Sequence, residues 1–390
     1  MRITWVTRSF LDYRIPVYAE LNRLCGKQLT VIYYADVVPE RTQKKLRAAL
    51  KERAIGLTGE WRFSGKKNNP LSNLHGGGIR IPWQPGLLKA CKESVPEVML
   101  GDGFFQWSYA PLILRMLYHI PYVMCYESTM HTERNTSFFR TFYRKTVTRW
   151  IDAICCNGQL CKEYTLTLGV TPEKIYLGNM VADSETLSQN CQHLKEIELD
   201  EFKRKYLLVS PVFLYVGRLV ELKGVLPLLQ AWAKLRPQAS LLLAGNGPER
   251  KTLEDFCRSN NLSNVFFAGA IDYDQLAIYY RCADVFIIPT LQDNWSLVVP
   301  EAMACGLPVA CSKYNGCYPE LVKPENGWVF DPLDQDETVR MLQDIVAKKN
   351  ALPQMGEASR HIAAEHTPQH AANVIFTACK SVFMNNHRQK

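Results

Sequence analysis

Two carboxylates eight residues apart, Asp293 and Glu301, form the most informative chemical pattern in this 390-residue sequence. An apolar run at residues 285–288 precedes them and is typical of a buried strand, and a predicted helix runs from Ser296 to Cys305. Glu301 lies about two helical turns beyond Asp293, so both side chains can face one cleft. Ionised carboxylates accept several strong hydrogen bonds, and the pair therefore suits the hydroxyl groups of a sugar and a ribose.

A pair of cations, Arg218 and Lys223, follows the predicted strand Val212–Val216. A guanidinium, an ammonium group and a helix start can together neutralise a diphosphate without a metal ion. Later in the chain, Gly245 and Asn246 begin a glycine-containing turn that would let the backbone approach a nucleotide. In open parallel sheets, ligands bind at the carboxyl ends of the strands, where these loops lie. The pattern predicts a site for a nucleotide and a sugar.

The acidic stretch resembles the signature of the retaining glycosyltransferases of family 4, which have the GT-B fold. That signature contains two acids eight residues apart, then Ala-Met-Ala and Gly-x-Pro-Val, and Asp293, Glu301 and residues 302–309 match it. The family usually has glutamate first and then Phe-Gly, where this sequence has Asp293 and then Trp295 and Ser296. These differences shorten one acid and add bulk beside the donor sugar, so they bear on donor identity more than on the fold.

The resemblance implies a retaining, hexosyltransferase-type enzyme that transfers a sugar from a nucleotide diphosphate sugar, with UDP favoured, to an acceptor hydroxyl. It assigns the ribose to Glu301 and donor-sugar hydroxyls to Asp293, while Arg218 and Lys223 would stabilise the departing diphosphate. The nucleotide sugar is a co-substrate, and no cofactor is expected; no metal is expected either, because no Asp-x-Asp sits at a strand end, where it could hold a metal together with phosphate. The other donor-binding candidates are Gly217, Gly245, Asn246, Ile271, Asn294, Trp295, Ser296, Leu297, Asn315 and Gly316.

The first half follows the family pattern less closely. Glu127 ends a predicted strand where the family often has a histidine, and His131 follows four residues later; either could contact the transferred sugar or orient the acceptor. The acceptor-side candidates are Arg8, Asp12, Arg14 and Asp102. The first three lie in a loop that replaces the family's glycine-rich loop. An ordinary surface loop is the alternative for these three, and a simple Asx turn is the alternative for Asp102.

Length favours two domains, and the patterning of the first half favours a parallel sheet with helices on both faces. The resemblance implies an α/β protein of two facing Rossmann-like domains, each a parallel sheet with helices on both faces. We predict an acceptor-binding domain over residues 1–190, a nucleotide-sugar-binding domain over residues 191–370 and a cleft between them. A last helix over residues 371–390 could cross back to the first domain, as in GT-B proteins. The strands predicted in the first half are Ile3–Thr7, Leu29–Tyr34, Val98–Gly101, Tyr122–Tyr126 and Ile151–Cys156.

Composition is that of a globular protein, with 47% hydrophobic and 22% charged residues. No apolar run approaches the ~18 residues that span a bilayer, and the amino terminus lacks a signal core. We therefore expect a cytoplasmic protein. The 13 cysteines include no Cys-x-x-Cys pair, which favours buried filler in a reducing compartment over a zinc or thioredoxin-like centre.

Basic residues are concentrated in the first half, where residues 1–180 hold 25 Lys and Arg against 14 Asp and Glu. Residues 41–67 carry nine basic residues beside Leu46, Leu50 and Trp61, and such a segment can rest on anionic lipid headgroups. A solvated helix and hairpin is an equal alternative. Residues 71–86 are predicted to form a mobile loop facing the cleft.

The expected partners are the nucleotide sugar donor and a glycan or lipid-linked acceptor, as in surface polysaccharide or glycolipid synthesis. Attachment to the inner face of an anionic membrane is an alternative to a fully cytoplasmic location. No nucleic-acid recognition motif is present. The same frame also hosts sugar phosphorylases and UDP-sugar epimerases, which the paired cations and acids make less favoured. A noncatalytic, membrane-associated partner protein is the remaining alternative, and it predicts no nucleotide binding.

Overall fold

The computed structural model describes residues 1–63, 81–182 and 184–388, so the loop predicted at 71–86 falls largely outside the described residues. Two parallel sheets, one of seven strands and one of six, form separate domains. Among the described residues, no helix combines the length and apolarity that crossing a bilayer requires.

The first domain contains all five strands predicted for it. In chain order its elements are β1 (Ile3–Thr7), α1 (Ile15–Leu24), β2 (Leu29–Tyr34), α2 (Glu40–Leu50), β3 (Ala54–Leu57), β4 (Trp61–Phe63), β5 (Ile81–Trp83), α3 (Leu87–Glu93), β6 (Val98–Asp102), α4 (Tyr109–Tyr118), β7 (Tyr122–Tyr126), α5 (Phe138–Val147), β8 (Ala153–Cys156), α6 (Gln159–Thr167) and β9 (Ile175–Leu177). The strand order is β3-β2-β1-β6-β7-β8-β9, and β4 and β5 form a separate antiparallel pair.

The central strands of the first sheet are mostly apolar because helices cover both of its faces. In β2 all six residues are buried, and successive side chains enter different cores. Val31 and Tyr33 join one hydrophobic cluster, whereas Ile32 and Tyr34 join the cluster on the opposite face. This continuous burial explains why the run reads as apolar without alternation.

The second domain and the last helix follow. Their elements are α7 (Glu185–His193), α8 (Glu196–Lys205), β10 (Val212–Val216), α9 (Val225–Leu235), β11 (Ser240–Ala244), α10 (Arg250–Ser259), β12 (Val265–Gly269), α11 (Leu276–Cys282), β13 (Val285–Ile288), α12 (Val298–Ala304), β14 (Val309–Ser312), α13 (Tyr318–Leu321), β15 (Gly327–Phe330), α14 (Gln335–Ala347), α15 (Leu352–Glu365) and α16 (Pro368–Arg388). The sheet order β12-β11-β10-β13-β14-β15 reverses direction between β10 and β13. This is the doubly wound order of dinucleotide-binding folds.

The chain crosses between the domains twice. The boundary predicted near residue 190 falls inside α7, whose Leu187 and Cys191 are buried in the core of the second domain. The first crossing therefore precedes α7. At the other end, α16 packs against α1 and β8, and Ala371 and Ile375 are buried in the first domain.

The basic segment at residues 41–67 begins with α2. Leu46 and Leu50 are buried under the first sheet, because an amphipathic helix of a globular domain turns its apolar stripe to the core. The exposed side of α2 is charged, and its Lys45 pairs with Asp12. These two leucines are therefore not available to a lipid surface.

Candidate functional site

Lys223 and Asp293 form an ion pair where the strand order of the second sheet reverses. Lys223 lies in the loop after β10 and Asp293 in the loop after β13, and these two strands are neighbours. Lys223 Nζ contacts Asp293 Oδ2, and the two side chains are 25% and 16% exposed. In doubly wound sheets the crevice at this reversal is the usual ligand site. The fold thus joins one predicted cation and one predicted acid in that crevice.

The position of Asp293 is fixed by its own loop and by the loop after β14. Ser296 Oγ donates to Asp293 Oδ2 at 2.5 Å, and Trp295 N donates to Oδ1 at 3.2 Å. The Asp293 backbone N donates to Tyr314 O at 3.3 Å, and Gly316 N donates to Asp293 O at 3.0 Å. The carboxylate therefore accepts three hydrogen bonds, including that of Lys223, before any ligand binds.

Buried polar atoms without partners surround this carboxylate. Asn294 Oδ1, Trp295 Nε1 and Asn315 Nδ2 have no hydrogen-bond partner in the described part of the chain. The backbone of Gly316 lies against that of Asn294, and a Cβ added to Gly316 would stand 1.9 Å from Asn294 O. Buried polar groups are almost always satisfied, so this cluster is suited to a ligand rich in hydroxyl groups.

Glu301, the second predicted acid, lies in α12 and is 9% exposed. Its Oε2 accepts a hydrogen bond from the hydroxyl of Tyr280 at 3.1 Å. Burial raises the pKa of Glu301 to about 7, and the Tyr280 hydrogen bond offsets only part of that effect. The carboxyl group of Glu301 therefore changes its protonation state near neutral pH.

Two glycine turns bring three strand ends together. Gly245 N donates to Gly269 O at 2.7 Å, and an ideal Cβ on Gly245 would stand 1.8 Å from Gly217 O. Asn246 O accepts from Leu219 N at 3.0 Å. Only glycine permits this approach at position 245. The turns leave backbone groups at the edge where a nucleotide would lie.

Arg218 lies on the same loop as Lys223 but is exposed. The hydroxyl of Tyr215 donates to Arg218 O at 2.8 Å and fixes the backbone. Its guanidinium forms no ion pair with any residue that the structure describes.

Two further donor-binding candidates, Ile271 after β12 and Leu297 before α12, are half-buried against the core.

Glu127 follows β7 on the opposite wall of the cleft and is exposed to solvent. Surrounding protein atoms nevertheless raise the pKa of its carboxyl above the usual range, and the negative charges of Asp102 and Asp293 add to this rise. Arg14 and the Asn294 side chain act in the opposite direction and favour the ionised form. Glu127 is thus coupled to charged groups of both domains.

His131 joins the two domains directly. Its Nε2 lies 2.8 Å from Leu291 O, and its ring stacks on Tyr314 with centroids 4.5 Å apart. A groove of about 300 Å³ opens beside this contact. Its lining residues are Thr129, Met130, His131, Leu160 and Glu163 from the first domain and Lys313, Tyr314 and Tyr318 from the second.

The four acceptor-side candidates all have local partners. Arg8 donates to Glu60 at 2.7 and 2.8 Å, and Asp12 accepts from Thr42 and Lys45 at 2.5 Å each. These two therefore act within the first domain. Asp102 accepts from Trp5 Nε1 at 3.0 Å, and Arg14 is buried beside Trp5. Of the four, Arg14 and Asp102 influence Glu127, whereas Arg8 and Asp12 are held by their ion pairs.

Sequence reasoning missed the role of two side chains. Tyr280, the hydrogen-bond partner of Glu301, lies in α11, where nothing distinguishes it from a core aromatic residue. Glu320, in α13, accepts a hydrogen bond from Gln159 N at the start of α6 in the other domain. Burial raises the pKa of Glu320. Only the packing of the two domains shows this contact.

Residues 198–362 match the model of the family Glycosyl transferases group 1. The match covers most of the second domain. A sulfoquinovosyl transferase of Arabidopsis thaliana is 25% identical over 310 residues, which are 77% of this chain and 59% of that protein. A GDP-mannose-dependent phosphatidylinositol monomannoside mannosyltransferase of Mycolicibacterium smegmatis is 29% identical over 40% of this chain and 44% of that protein. The chain thus spans about half the length of these curated relatives.

A solved structure of Anabaena HepE in complex with UDP is similar over 98% of this chain and 100% of that one. The TM-score is 0.74 at 16% sequence identity. A likeness at this identity concerns the fold. The predicted fold class is confirmed: two parallel sheets with helices on both faces, in the arrangement of GT-B glycosyltransferase structures.

Proposed function

We propose that this protein is a retaining glycosyltransferase that moves a sugar from a nucleotide diphosphate sugar to an acceptor hydroxyl. The observation that carries the proposal is the ion pair of Lys223 and Asp293 at the strand-order reversal of the second sheet. The pair supports the proposal because a lysine can bind phosphate and a carboxylate can bind sugar hydroxyls, and the two lie side by side in one crevice. The family match over residues 198–362 supports the same assignment.

The diphosphate is assigned to Arg218 and Lys223. Arg218 is exposed, and its guanidinium has no acidic partner among the described residues, so it can bind phosphate oxygens without losing an existing ion pair. Lys223 is held in place by Asp293. Charge builds on the diphosphate as it leaves, and preorganised cations stabilise that charge. This assignment needs no metal ion, and transfer is expected to persist in EDTA.

The ribose and the donor sugar are assigned to the two acids. Glu301 would accept hydrogen bonds from ribose hydroxyls. Asp293 and the backbone from Asn294 to Ser296 would contact the sugar, where the unsatisfied Asn294 and Trp295 groups also lie. A bound sugar would satisfy polar atoms that are otherwise costly to bury.

Glu127 is the better candidate for contact with the transferred sugar. It is exposed in the cleft and electrostatically coupled to Asp293. His131 is already engaged with Leu291 O and Tyr314, so its role is to hold the domains in register. The acceptor then approaches from the first domain beside Glu127.

UDP is the favoured nucleotide, because the structurally similar Anabaena protein is a UDP complex. The Mycolicibacterium smegmatis relative uses GDP-mannose by name, which makes GDP the comparison to test. A lipid-linked or glycan acceptor suits the basic first half, and surface polysaccharide or glycolipid synthesis is the proposed setting.

The test is a thermal-shift titration of the purified protein with UDP and GDP, followed by a screen of nucleotide sugars for slow hydrolysis. We expect UDP to raise the melting temperature and Arg218→Ala to abolish the rise. Lys251→Ala, an exposed cation of the same domain, is the matched control and should retain it. Glu301→Ala should remove transfer while the protein stays folded.

The absence of a shift with either nucleotide, together with no hydrolysis of any nucleotide sugar, would overturn the proposal. Proton NMR of the product would test retention, because the anomeric configuration of donor and product must then agree. An inverted product would refute the retaining assignment and leave sugar transfer standing.

A further inference from the structure

Helix α5 exposes an aromatic surface that the site described above does not use. Phe138, Phe139 and Phe142 are 77%, 78% and 62% exposed. The Phe138 ring lies 6.1 Å from that of Phe139 and 6.4 Å from that of Phe142, so the three form one continuous patch. Three adjacent exposed phenylalanines are unusual on a soluble surface and mark an interaction site.

Contacts on the inner side of α5 fix the orientation of the helix, so the patch faces outward. Arg144 is buried on the inner side, where it pairs with Glu133 at 2.8 Å and donates to the Tyr164 hydroxyl at 2.6 Å. Val147 is also buried on that side, and Tyr143 stacks on Phe105 at 5.3 Å. The helix cannot turn its phenylalanines inward without breaking these contacts.

Cations flank the patch along the chain. Residues 134–150 contain five Arg and Lys and no Asp or Glu, and Glu133, just before them, is paired with Arg144. Arg140, Lys145 and Arg149 are exposed, and none of them forms an ion pair with a described residue; the Arg140 guanidinium lies 4.8 Å from the centroid of the Phe105 ring. An apolar patch flanked by exposed cations without acidic partners matches an anionic lipid surface, which accepts aromatic rings at the headgroup level and attracts positive charge.

The patch also lies near the cleft. In a parallel sheet each connecting helix starts at the carboxyl edge of the preceding strand, and α5 starts after β7. The loop between them carries Glu127 and His131, and its Met130 is 57% exposed in the interdomain groove. The phenylalanines, in the first half of α5, therefore stand at the cleft side of the first domain.

We infer that α5 is the surface by which this protein docks on an anionic membrane, with Phe138, Phe139 and Phe142 entering the lipid interface and Arg140, Lys145 and Arg149 binding the headgroups. This deepens the proposed function, because a docked α5 would bring a lipid-linked acceptor to the mouth of the cleft. We place the docking surface on α5 and not on the basic segment at residues 41–67, because Leu46 and Leu50 of that segment are buried and Trp61 is the one exposed residue of the three apolar residues named there, against three adjacent phenylalanines on α5.

The experiment is flotation of the full chain with phosphatidylcholine vesicles, with and without phosphatidylglycerol. We expect binding only to the anionic vesicles. Phe138→Ala/Phe139→Ala/Phe142→Ala should weaken binding more than tenfold. Arg140→Gln/Lys145→Gln/Arg149→Gln should weaken it by about fivefold per cation, which corresponds to about 1 kcal/mol each near an anionic surface.

Matched controls are available in the second domain. Ile197, Val209 and Leu333 are 62%, 57% and 60% exposed, and changing all three to alanine should leave flotation unchanged. Changing the exposed Lys203, Lys251 and Lys349 to glutamine should have a smaller effect than the charge variant of α5. Circular dichroism checks that each variant folds.

Three outcomes would overturn the inference. They are failure of the wild type to float with anionic vesicles, flotation of the phenylalanine variant like that of the wild type, and a dimer, seen by light scattering, that the phenylalanine variant loses while no vesicles bind. The last result would assign the patch to a second copy. The UDP thermal shift is measured on the same variants and should stay intact, so failure of docking and failure of the proposed function are separate results.

Discussion

Replacing Glu301 by glutamine should stabilise the protein at alkaline pH while weakening nucleotide binding. The carboxylate is buried, and its pKa lies near 7 instead of the ordinary 4.5. Glutamine keeps the shape and can accept the Tyr280 hydrogen bond, but it never ionises. The variant therefore removes the cost of a buried charge without creating a cavity.

The sign follows from proton binding. A buried acid with a raised pKa binds more protons in the folded state than in the unfolded state, so the stability of the wild type falls as pH rises from about 4.5 to about 7. The full loss corresponds to about 3 kcal/mol at 1.36 kcal/mol per pKa unit, an upper limit because water entry relieves part of it. Glu301→Gln should lack this loss.

Urea unfolding of both proteins at about pH 5 and about pH 8 provides the measurement. The variant should exceed the wild type slightly at the lower pH and by up to about 3 kcal/mol at the higher pH. In a UDP titration the wild type should bind more tightly than Glu301→Gln, because ribose hydroxyls donate to a carboxylate better than to an amide. An equal stability difference at both pH values would refute the assignment of a buried, ionisable Glu301.

Two further substitutions test the donor crevice. Gly245→Ala should weaken UDP binding at least tenfold and lower the free energy of unfolding by about 1–3 kcal/mol, since its Cβ would stand 1.8 Å from Gly217 O; calorimetry and urea unfolding measure the two effects. Lys223→Ala should slow sugar transfer by about 100-fold or more at unchanged EDTA tolerance, as expected when one charge-stabilising donor is lost; a rate close to that of the wild type would contradict its role.

Much of the fold could be predicted because its strands are buried on both faces. Buried runs such as residues 29–34 and 285–288 contain no charged residue, and glycines such as Gly217 and Gly245 mark where strands end against each other. These signals are local in the chain. The strands β3 and β9 have only four and three residues, too short a run to distinguish from a loop by its pattern.

The sequence arguments for the site are stronger in the second domain than in the first. Lys223 and Asp293 belong to local motifs, and the topology brings them together. In the first domain, Arg8 and Asp12 were chosen because they lie in the loop that replaces the family's glycine-rich loop. Their ion pairs with Glu60 and Lys45 depend on how distant segments pack, which the sequence does not contain in readable form.

The distribution of charge indicated that the first half of the chain meets an anionic surface, but it did not indicate which helix would do so. The basic run at residues 41–67 is denser than that of α5, yet Leu46 and Leu50 face the core. The phenylalanines of α5 read as core residues in the sequence, because buried aromatic residues are common in helices that cover a sheet. The exposed phenylalanines and the buried Arg144 together show that α5 is turned the other way.

The return of α16 to the first domain bears on the order in which the chain acquires its structure. Ala371, Ile375 and Cys379 fill the space beside α1, so the first domain completes its interior only when α16 has docked on it. A chain that ends before residue 368 would leave the α1 side of the first domain uncovered, while the second domain keeps its own core. Such a truncated chain should therefore have a protease-resistant second domain and a protease-sensitive first domain.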